Sequence, residues 1–211
     1  MIQVVPAILE KTWDDVQDKV KQAKAFTDLV QLDVMDGIFV QNTTFNDTLK
    51  LATLDIDIEL HLMIERPALH LQQWLMPNVS RVIFHYEADG NISHTIKQIR
   101  DAGKSPALAI NPITSTYDIK EVLDELDMVL VMGVTPGFSG QSFQRDALEK
   151  IKELKKWKPE LLIEVDGGVN GSTRNSIVTA GADILASASF IWNNEKPAAA
   201  VEFLKTGSWP S

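Results

Sequence analysis

Short apolar runs, each five to seven residues long, alternate along the chain with segments that mix apolar and charged side chains. Runs of this length that lack a regular polar alternation are typical of parallel strands, which are buried on both faces. The chain contains eight such runs, distributed from one end to the other. We therefore predict strands in residues 2–8, 29–33, 58–63, 81–86, 106–110, 128–134, 161–165 and 182–187.

The segments between these runs carry the signals of helices. In residues 12–26, apolar side chains recur at helical spacing behind Thr12, a residue that can cap the first turn. Residues 146–157 begin with acidic and end with basic side chains, which suits the helix dipole. Gly103 and Gly181 stand where a helix is expected to end before the next strand.

Eight strand–helix units in 211 residues favour one architecture, a closed (β/α)8 TIM barrel of the α/β class, over an open doubly wound sheet. No composition shift or proline-rich linker marks a second domain, so we expect a single barrel domain over residues 1–211. In such barrels the catalytic residues gather at the carboxyl ends of the strands and in the loops that follow them.

Composition narrows the class of partner and the compartment. The formal net charge of −9 argues against a nucleic-acid binder. The longest apolar stretches are too short to cross a bilayer. The absence of cysteine excludes disulfides and thiolate metal sites, and it is compatible with a reducing cytoplasm. We expect a cytoplasmic protein without a nucleic-acid or membrane partner, and an anionic small substrate stays possible because helix N-termini or a cation can make one pocket positive.

Polar groups recur at the predicted carboxyl ends of the strands. The stretch "LDVMDG" in residues 32–37 poses the sharpest question: its acids belong either to a strand that delivers a carboxylate to a site or to an acidic turn. The other strand ends carry His61, His85 and Asn111, followed by "GVTPGFSGQ", "DGGVNG" and "SAS". Such recurrence at one end of the barrel is harder to explain by chance than any single residue.

Four long motifs resemble those of the ribulose-phosphate 3-epimerase family and occur in the family's order. They are "LDVMDGIFVQNTTF" (32–45), "HLMIERP" (61–67), "VMGVTPGFSGQSF" (131–143) and "IEVDGGVN" (163–170), with weaker matches at 6–9, 84–88 and 111–115. The resemblance implies a (β/α)8 barrel that epimerises ribulose 5-phosphate to xylulose 5-phosphate at C3. It also implies a phosphorylated ketose as the partner and a homo-oligomeric assembly.

The implied reaction needs two positioned acids. Removing the proton next to a ketone requires a base and stabilisation of the oxyanion that forms. Inversion without a redox cofactor is simplest with two acid/base groups on opposite faces of the sugar, and Asp33 and Asp166 match the family's catalytic pair. The resemblance further implies an enediolate intermediate and a divalent metal (Zn, Mn, Fe or Mg), with Asp33, His61 and Asp166 as its ligands.

Gln31 departs from the family motif, which has a histidine two residues before the first aspartate. Strand residues two apart point to the same face, so Gln31 and Asp33 should both point into the barrel. An amide oxygen is a poorer partner for zinc than an imidazole nitrogen. Two interpretations stay open: a weaker metal site or one shifted toward Mn²⁺ or Mg²⁺, and a metal-free site in which Gln31 binds a substrate oxygen.

Further residues are predicted to contact the substrate. The resemblance assigns methionines to the sugar plane, although a core role is the simpler interpretation of a flexible apolar side chain. It assigns backbone N–H groups of the late glycine-rich loops to the phosphate. The predicted substrate-binding residues are Ala7, Gln31, Met35, His61, Met63, Met132, Gly137, Phe138, Ser139, Gly140, Gly167, Gly168, Ala188 and Ser189.

Buried neighbours of the site carry a second group of predictions. Glu59 and Glu164 lie two residues below His61 and Asp166, and buried glutamates need partners. We expect them to orient His61 and Gln31 by hydrogen bonds, unless strand twist lets them escape burial. His85 does not match a ligand position, and structural packing is its simpler role.

The alternatives to a ribulose-phosphate epimerase are a ketohexose 6-phosphate 3-epimerase and a non-catalytic phosphosugar-binding relative. Ala7 and Ile38 replace polar residues of the family near the expected site, which supports an altered specificity or lost turnover. Retention of both aspartates opposes the non-catalytic alternative. Decarboxylase or aldolase chemistry would be expected to bring a lysine beside the acids, and "LDVMDG" contains none.

Overall fold

A computed structural model describes residues 2–210, and its eight strands close into one parallel barrel in chain order. Every strand pairs with its neighbours in sequence, and the last strand pairs with the first. The strands are β1 (Gln3–Ile8), β2 (Leu29–Met35), β3 (Asp57–Met63), β4 (Val79–His85), β5 (Ser105–Ile110), β6 (Met128–Met132), β7 (Leu162–Asp166) and β8 (Ile184–Ser187). The predicted (β/α)8 fold and all eight predicted strands are confirmed.

Helices follow the strands and cover the barrel. They are α1 (Trp13–Ala23), α2 (Thr48–Leu51), α3 (Pro67–Trp74), α4 (Ile92–Asp101), α5 (Asp146–Trp157), α6 (Arg174–Ala180), α7 (Ser189–Trp192) and α8 (Pro197–Thr206), with a 3₁₀ helix at Thr116–Glu125 between β5 and β6. The Thr12 side chain caps α1 as predicted by accepting the N–H of Asp15. Within the described part of the chain, none of the helices combines the length and apolar character that a bilayer crossing demands.

Alternation along each strand divides the apolar residues into two layers. In β3, Leu60 and Leu62 point outward into the large core between barrel and helices. Inside the barrel a smaller apolar cluster includes Val5, Ile83 and Leu130. Because both faces of every strand are covered, the strands lack the polar alternation of a half-exposed sheet, and this is why their sequences are nearly continuous apolar runs.

One sector of the barrel interior is polar. Gln31 and Asp33 of β2 point inward and lie in register with Glu59 and His61 of β3. All four side chains are buried. A buried polar group destabilises a fold unless it is paired, so the partners of these four side chains decide what this sector can do.

The outer layer should dominate the stability of the barrel. Leu60→Ala removes a fully buried side chain, and we expect it to lower the free energy of unfolding by about 2–5 kcal/mol. Leu49→Ala is the matched control, because Leu49 is 83% exposed and its truncation should change stability by less than about 0.5 kcal/mol. Urea unfolding measures both, and similar losses in the two variants would contradict the assignment of the core.

Candidate active site

Two carboxylates converge at the floor of a cavity on the carboxyl side of the barrel. Asp33 comes from β2 and Asp166 from the last position of β7, and both line the same cavity. The Asp33 side chain is 2% exposed and that of Asp166 is 14% exposed. Since β1 and β8 separate these strands, only closure of the barrel brings the two acids to one place.

Two donors hold the carboxylates together from below. The Gln31 amide Nε2 donates to Asp33 Oδ1 at 2.8 Å and to Asp166 Oδ2 at 2.9 Å. His61 Nδ1 lies 2.8 Å from the same oxygen of Asp33 and 3.4 Å from the same oxygen of Asp166. Gln31 therefore does face inward as its spacing predicted, and it bridges the two acids.

The protonation of this group follows from its burial and its charges. Burial and the nearby Asp166 charge raise the pKa of Asp33 to about 6, against the opposing effect of His61. Burial disfavours a charge on His61, but its hydrogen bonds to Asp166 and Asp33 and their charges prevail and raise its pKa to about 9. Without a metal ion, the two acids therefore favour the protonated form of His61, which offsets part of their negative charge.

His85 continues the polar chain beyond His61, which sequence reasoning did not foresee. Its ring is buried, as expected for a packing residue, but His85 Nε2 also lies 2.9 Å from His61 Nε2. On the other side, His85 Nδ1 lies 3.2 Å from Glu87 Oε2. Burial lowers the pKa of His85 to about 4 despite Glu87. The weak motif "FHYEA" contained both residues, and their spacing of two was the available signal.

The two lower glutamates are buried, but their partners differ from the prediction. Neither Glu59 nor Glu164 escapes burial through strand twist. Glu59 accepts a hydrogen bond from Arg81, and Glu164 shares a side-chain hydrogen bond with Glu59 that a protonated Glu164 can donate. The expected hydrogen bonds to His61 and Gln31 are therefore wrong, because the guanidinium of β4 takes Glu59. Burial and the neighbouring Glu59 charge raise the pKa of Glu164 well above its usual range.

Apolar side chains form the wall above the acids. Met35, Met63 and Met132 all line the cavity, although each is almost completely buried. These methionines therefore both fill the core, as a flexible apolar side chain would, and line the pocket, as the resemblance implies. A wall of this kind excludes water from the space next to the carboxylates.

Glycine-rich loops close the opposite side of the cavity. The predicted loop residues that line it are Gly137, Phe138, Ser139, Gly140, Gly167, Gly168, Ala188 and Ser189. Within residues 2–210, the backbone N–H groups of Gly168, Ala188 and Ser189 donate to no other protein group. Free backbone donors that border a cavity are suited to binding an anion.

The "LDVMDG" question has a divided answer. Asp33 is the carboxylate that the strand delivers, whereas Asp36 builds the turn. Asp36 accepts the N–H groups of Ile38 and Phe39, both at 2.8 Å, and that of Glu65. Its carboxylate thereby ties the loop after β2 to the loop after β3 at the rim of the site.

Several predicted residues lie outside the cavity lining. Gln31 lies one layer below Asp33, His61 lies level with Asp33, both side chains contact the two acids, and Ala7 is buried in register with Gln31. Ile38 is 68% exposed and does not line the cavity, so its place near the substrate is not supported. Lining residues that sequence reasoning missed are Leu9, Val134, Pro136, Val169, Ala186 and Ser187. Most are apolar neighbours of motif residues, and an apolar side chain carries no chemical signal of its own.

The acids and His61 also fit a divalent cation. Asp33, His61 and Asp166 each offer one ligand atom, and these atoms lie within 4.8 Å of one another. Carboxylate oxygens and imidazole nitrogens are ordinary ligands of such ions. Gln31 turns Nε2 toward the acids and leaves Oε1 buried without a partner in the described structure. Rotation of the amide by half a turn would point Oε1 toward the acids instead. Gln31 could then supply an oxygen as a fourth ligand beside Asp33, His61 and Asp166.

Comparisons with known proteins point to one family. A family model described as the ribulose-phosphate 3 epimerase family matches residues 3–192. The chain is 37% identical over 201 residues to the ribulose-phosphate 3-epimerase of Bacillus subtilis (strain 168), covering 91% of this chain and 93% of that protein. It is 34% identical over 221 residues to the chloroplastic ribulose-5-phosphate-3-epimerase of Arabidopsis thaliana, covering 100% and 78% respectively.

Solved structures with little sequence identity share the fold. KGPDC from Streptococcus mutans superposes with a TM-score of 0.71 at 13% identity, covering 97% of this chain and 96% of that one. The 3-hexulose-6-phosphate synthase from Salmonella typhimurium gives a TM-score of 0.73 at 14% identity, covering 96% of each chain. At such low identity the similarity establishes the barrel architecture alone.

Close packing at the late loops makes Gly168 sensitive to substitution. Gly168 has φ +70°, and an added Cβ would lie 2.8 Å from Phe143 Cα, closer than nonbonded carbons approach. Gly103 is a matched control, because it has φ +72° and nothing within 4 Å of an added Cβ. We expect Gly168→Ala to destabilise the fold by about 1–3 kcal/mol more than Gly103→Ala, since the left-handed penalty is common to both. Equal urea midpoints would contradict the close contact.

Proposed function

Because the chain belongs to the ribulose-phosphate 3-epimerase family, we propose that it inverts C3 of ribulose 5-phosphate to give xylulose 5-phosphate. Family membership makes the chain an isomerase of carbohydrate phosphates, as its motifs predicted. The finer part of the proposal concerns the residues: Asp33 and Asp166 carry the proton transfers, one removing the C3 proton and the other supplying a proton from the opposite side.

The observation that carries the proposal is the convergence of the two acids on one cavity. Both carboxylates border the same space, and the atoms that hold them from below leave each carboxylate a second oxygen for the substrate. A small ketose placed above them would have one acid on each side of its C3. An enediolate formed by loss of the C3 proton needs positive charge nearby, and without a metal ion the nearest positive charge would be that of His61, which contacts both acids.

The remaining walls suit the rest of a phosphosugar. Backbone donors of Gly168, Ala188 and Ser189 would hold the phosphate, which keeps C3 at a constant distance from the acids. The methionine wall would exclude water from the reacting carbon. Binding energy from the phosphate is thereby used to orient a carbon that does not itself contact the phosphate site.

A divalent cation is part of the proposal, held by Asp33, His61 and Asp166 with the amide oxygen of Gln31 as an adjustable fourth group. When bound, such a cation polarises the ketone of the substrate and makes the neighbouring proton more acidic. A homo-oligomeric assembly remains a prediction. The ketohexose 6-phosphate alternative and the non-catalytic alternative are separated by the assay below.

Asparagine at either acid tests the two-base assignment. We expect conversion of ribulose 5-phosphate to fall by about 10²- to 10⁴-fold in Asp33→Asn and in Asp166→Asn, because each proton transfer is required. One acid removes the C3 proton of ribulose 5-phosphate and the other that of xylulose 5-phosphate. In deuterated water, each variant should therefore stop exchanging the C3 hydrogen of the sugar that its missing acid deprotonates. Nuclear magnetic resonance of the sugar follows both processes, with ketohexose 6-phosphate as the competing substrate.

Asp18→Asn is the matched control, since Asp18 is exposed on α1 and should leave conversion unchanged. Wild-type protein that binds the phosphosugar without conversion or exchange would support the non-catalytic alternative. Near wild-type conversion in either site variant would remove that residue from the mechanism.

Histidine at position 31 tests the metal site. Gln31→His replaces an amide with a better zinc ligand, so we expect Zn²⁺ affinity to rise by about tenfold or more, equivalent to about 1.4 kcal/mol. Competition with a chromophoric chelator measures the affinity of protein first stripped of metal. Gln22→His places a histidine on the exposed side of α1 and serves as the control. Unchanged or weaker binding in Gln31→His would contradict a cation position beside residue 31.

A further inference from the structure

A chain of hydrogen bonds leads from the two acids out to the loop after β5. It runs from His61 through His85 to Glu87, and Glu87 is held in turn by residues of that loop. We propose that His85 and Glu87 are positioning residues that fix the tautomer and the ring orientation of His61. In this arrangement His61 carries hydrogen on Nε2 and presents Nδ1 to the acids.

The outer end of the chain is anchored by donors alone. Glu87 Oε1 accepts the backbone N–H of Asn111 at 2.8 Å and the hydroxyl of Thr114. Lys150 holds the same loop by donating to the carbonyl oxygens of Asn111, Pro112 and Thr114 at 2.6–2.7 Å. With Oε1 satisfied, Oε2 is the oxygen that remains for His85.

From Glu87 inward to His61, the donor and the acceptor of each hydrogen bond are then determined. An ionised carboxylate only accepts hydrogen bonds, so the Nδ1 of His85 carries the hydrogen in the contact with Glu87. In a neutral imidazole the other nitrogen is an acceptor, so His85 Nε2 accepts from His61 Nε2 across 2.9 Å. His61 is therefore protonated on Nε2. Its Nδ1 faces the acids and either donates a hydrogen bond to them or binds a metal ion.

The distances to neighbouring charged groups give a second reason for this direction of the chain. His61 Nδ1 lies within 3.4 Å of two carboxylates, whereas His85 has one carboxylate at 3.2 Å, and the ammonium of Lys150 already lies beside the loop that holds it. The opposite arrangement, with a charged His85 donating to His61, would leave His61 hydrogenated on Nδ1 only. The two arrangements therefore differ in which nitrogen of His61 is bare.

The nearly coplanar arrangement of the two histidine rings also fixes the orientation of His61. The rings of His61 and His85 meet edge to edge through this hydrogen bond, with centroids 5.1 Å apart and planes 24° apart, and the Phe39 ring packs against His85 with centroids 4.8 Å apart. Rotation of His61 about its side-chain bond would break this hydrogen bond. The catalytic consequence of this restraint rests on the proposed function, whereas the tautomer is a property of the protein alone.

The replacement Glu87→Gln reverses the polarity of the chain without a change of shape. The Asn111 N–H can only donate, so it keeps the amide oxygen of the new side chain and turns the amide N–H₂ toward His85. His85 Nδ1 must then accept, and its Nε2 must donate to His61. We expect His61 to lose hydrogen from Nε2 and to keep it on Nδ1, where it opposes a metal ion.

Nitrogen-15 spectra of histidine-labelled protein test the proposal directly, because the chain has four histidines and two of them, His70 and His94, are exposed references. We expect Nε2 to be protonated in wild-type His61 and unprotonated in wild-type His85. In Glu87→Gln both assignments at Nε2 should reverse, and Zn²⁺ affinity should fall by about 10- to 100-fold.

Two controls keep the result independent of folding. Glu121→Gln makes the same chemical change on the exposed face of the 3₁₀ helix and should leave the spectra unchanged. Thr114→Val removes one donor to Glu87 but keeps the carboxylate, so the wild-type tautomers should persist. If Glu87→Gln does not fold, the wild-type spectrum still decides, because a bare Nε2 on His61 would overturn the proposal.

The outcome is separable from that of the proposed function. Tautomers that reverse in a protein without epimerase activity would support the positioning role and remove the epimerase assignment. An active enzyme whose His61 keeps its tautomer in a folded Glu87→Gln variant would do the opposite. Unchanged Zn²⁺ affinity together with an unchanged His61 spectrum would overturn the positioning role.

Discussion

Two carboxylates that share a buried floor are the constraint on which this barrel's chemistry depends. Asp33 and Asp166 repel one another, and burial removes the water that would otherwise screen them. The protein answers with His61 and Gln31, whose nitrogens contact the same two carboxylate oxygens. The acids are thereby held side by side with their other oxygens available to the cavity. The polar sector of β2 and β3 exists inside an otherwise apolar barrel to supply these donors.

Gln31 replaces an imidazole with a neutral amide, but the two acids stay linked by hydrogen bonds. An imidazole at this position could carry charge or bind a cation firmly, whereas an amide is neutral and offers either a donor or an acceptor. Its Nε2 donates to both acids, so the protein holds Asp33 and Asp166 together without a metal ion. The charge then falls to His61, and the chain through His85 and Glu87 matters more than it would beside two histidine ligands.

The fold was predictable in detail because parallel strands buried on both faces must be nearly continuous apolar runs. All eight strands form where such runs occur, and the dipole-matched segment 146–157 coincides with α5. The site was predictable as a list of positions, since Asp33, Asp166 and the glycine-rich loops all border one cavity. Its hydrogen bonds were less so: Glu59 was expected to orient His61 but pairs with Arg81, which carried no motif signal.

The sequence by itself determined the architecture, the inward direction of Gln31 and Asp33, and the family, because strand periodicity and motif spacing are local properties of the chain. Only the tertiary structure decided which oxygen each donor serves. Barrel closure places β7 across from β2, and the strand register sets Asp33 beside His61. Polar partners of this kind come from distant segments, and choosing among several buried donors and acceptors requires distances that no linear pattern contains.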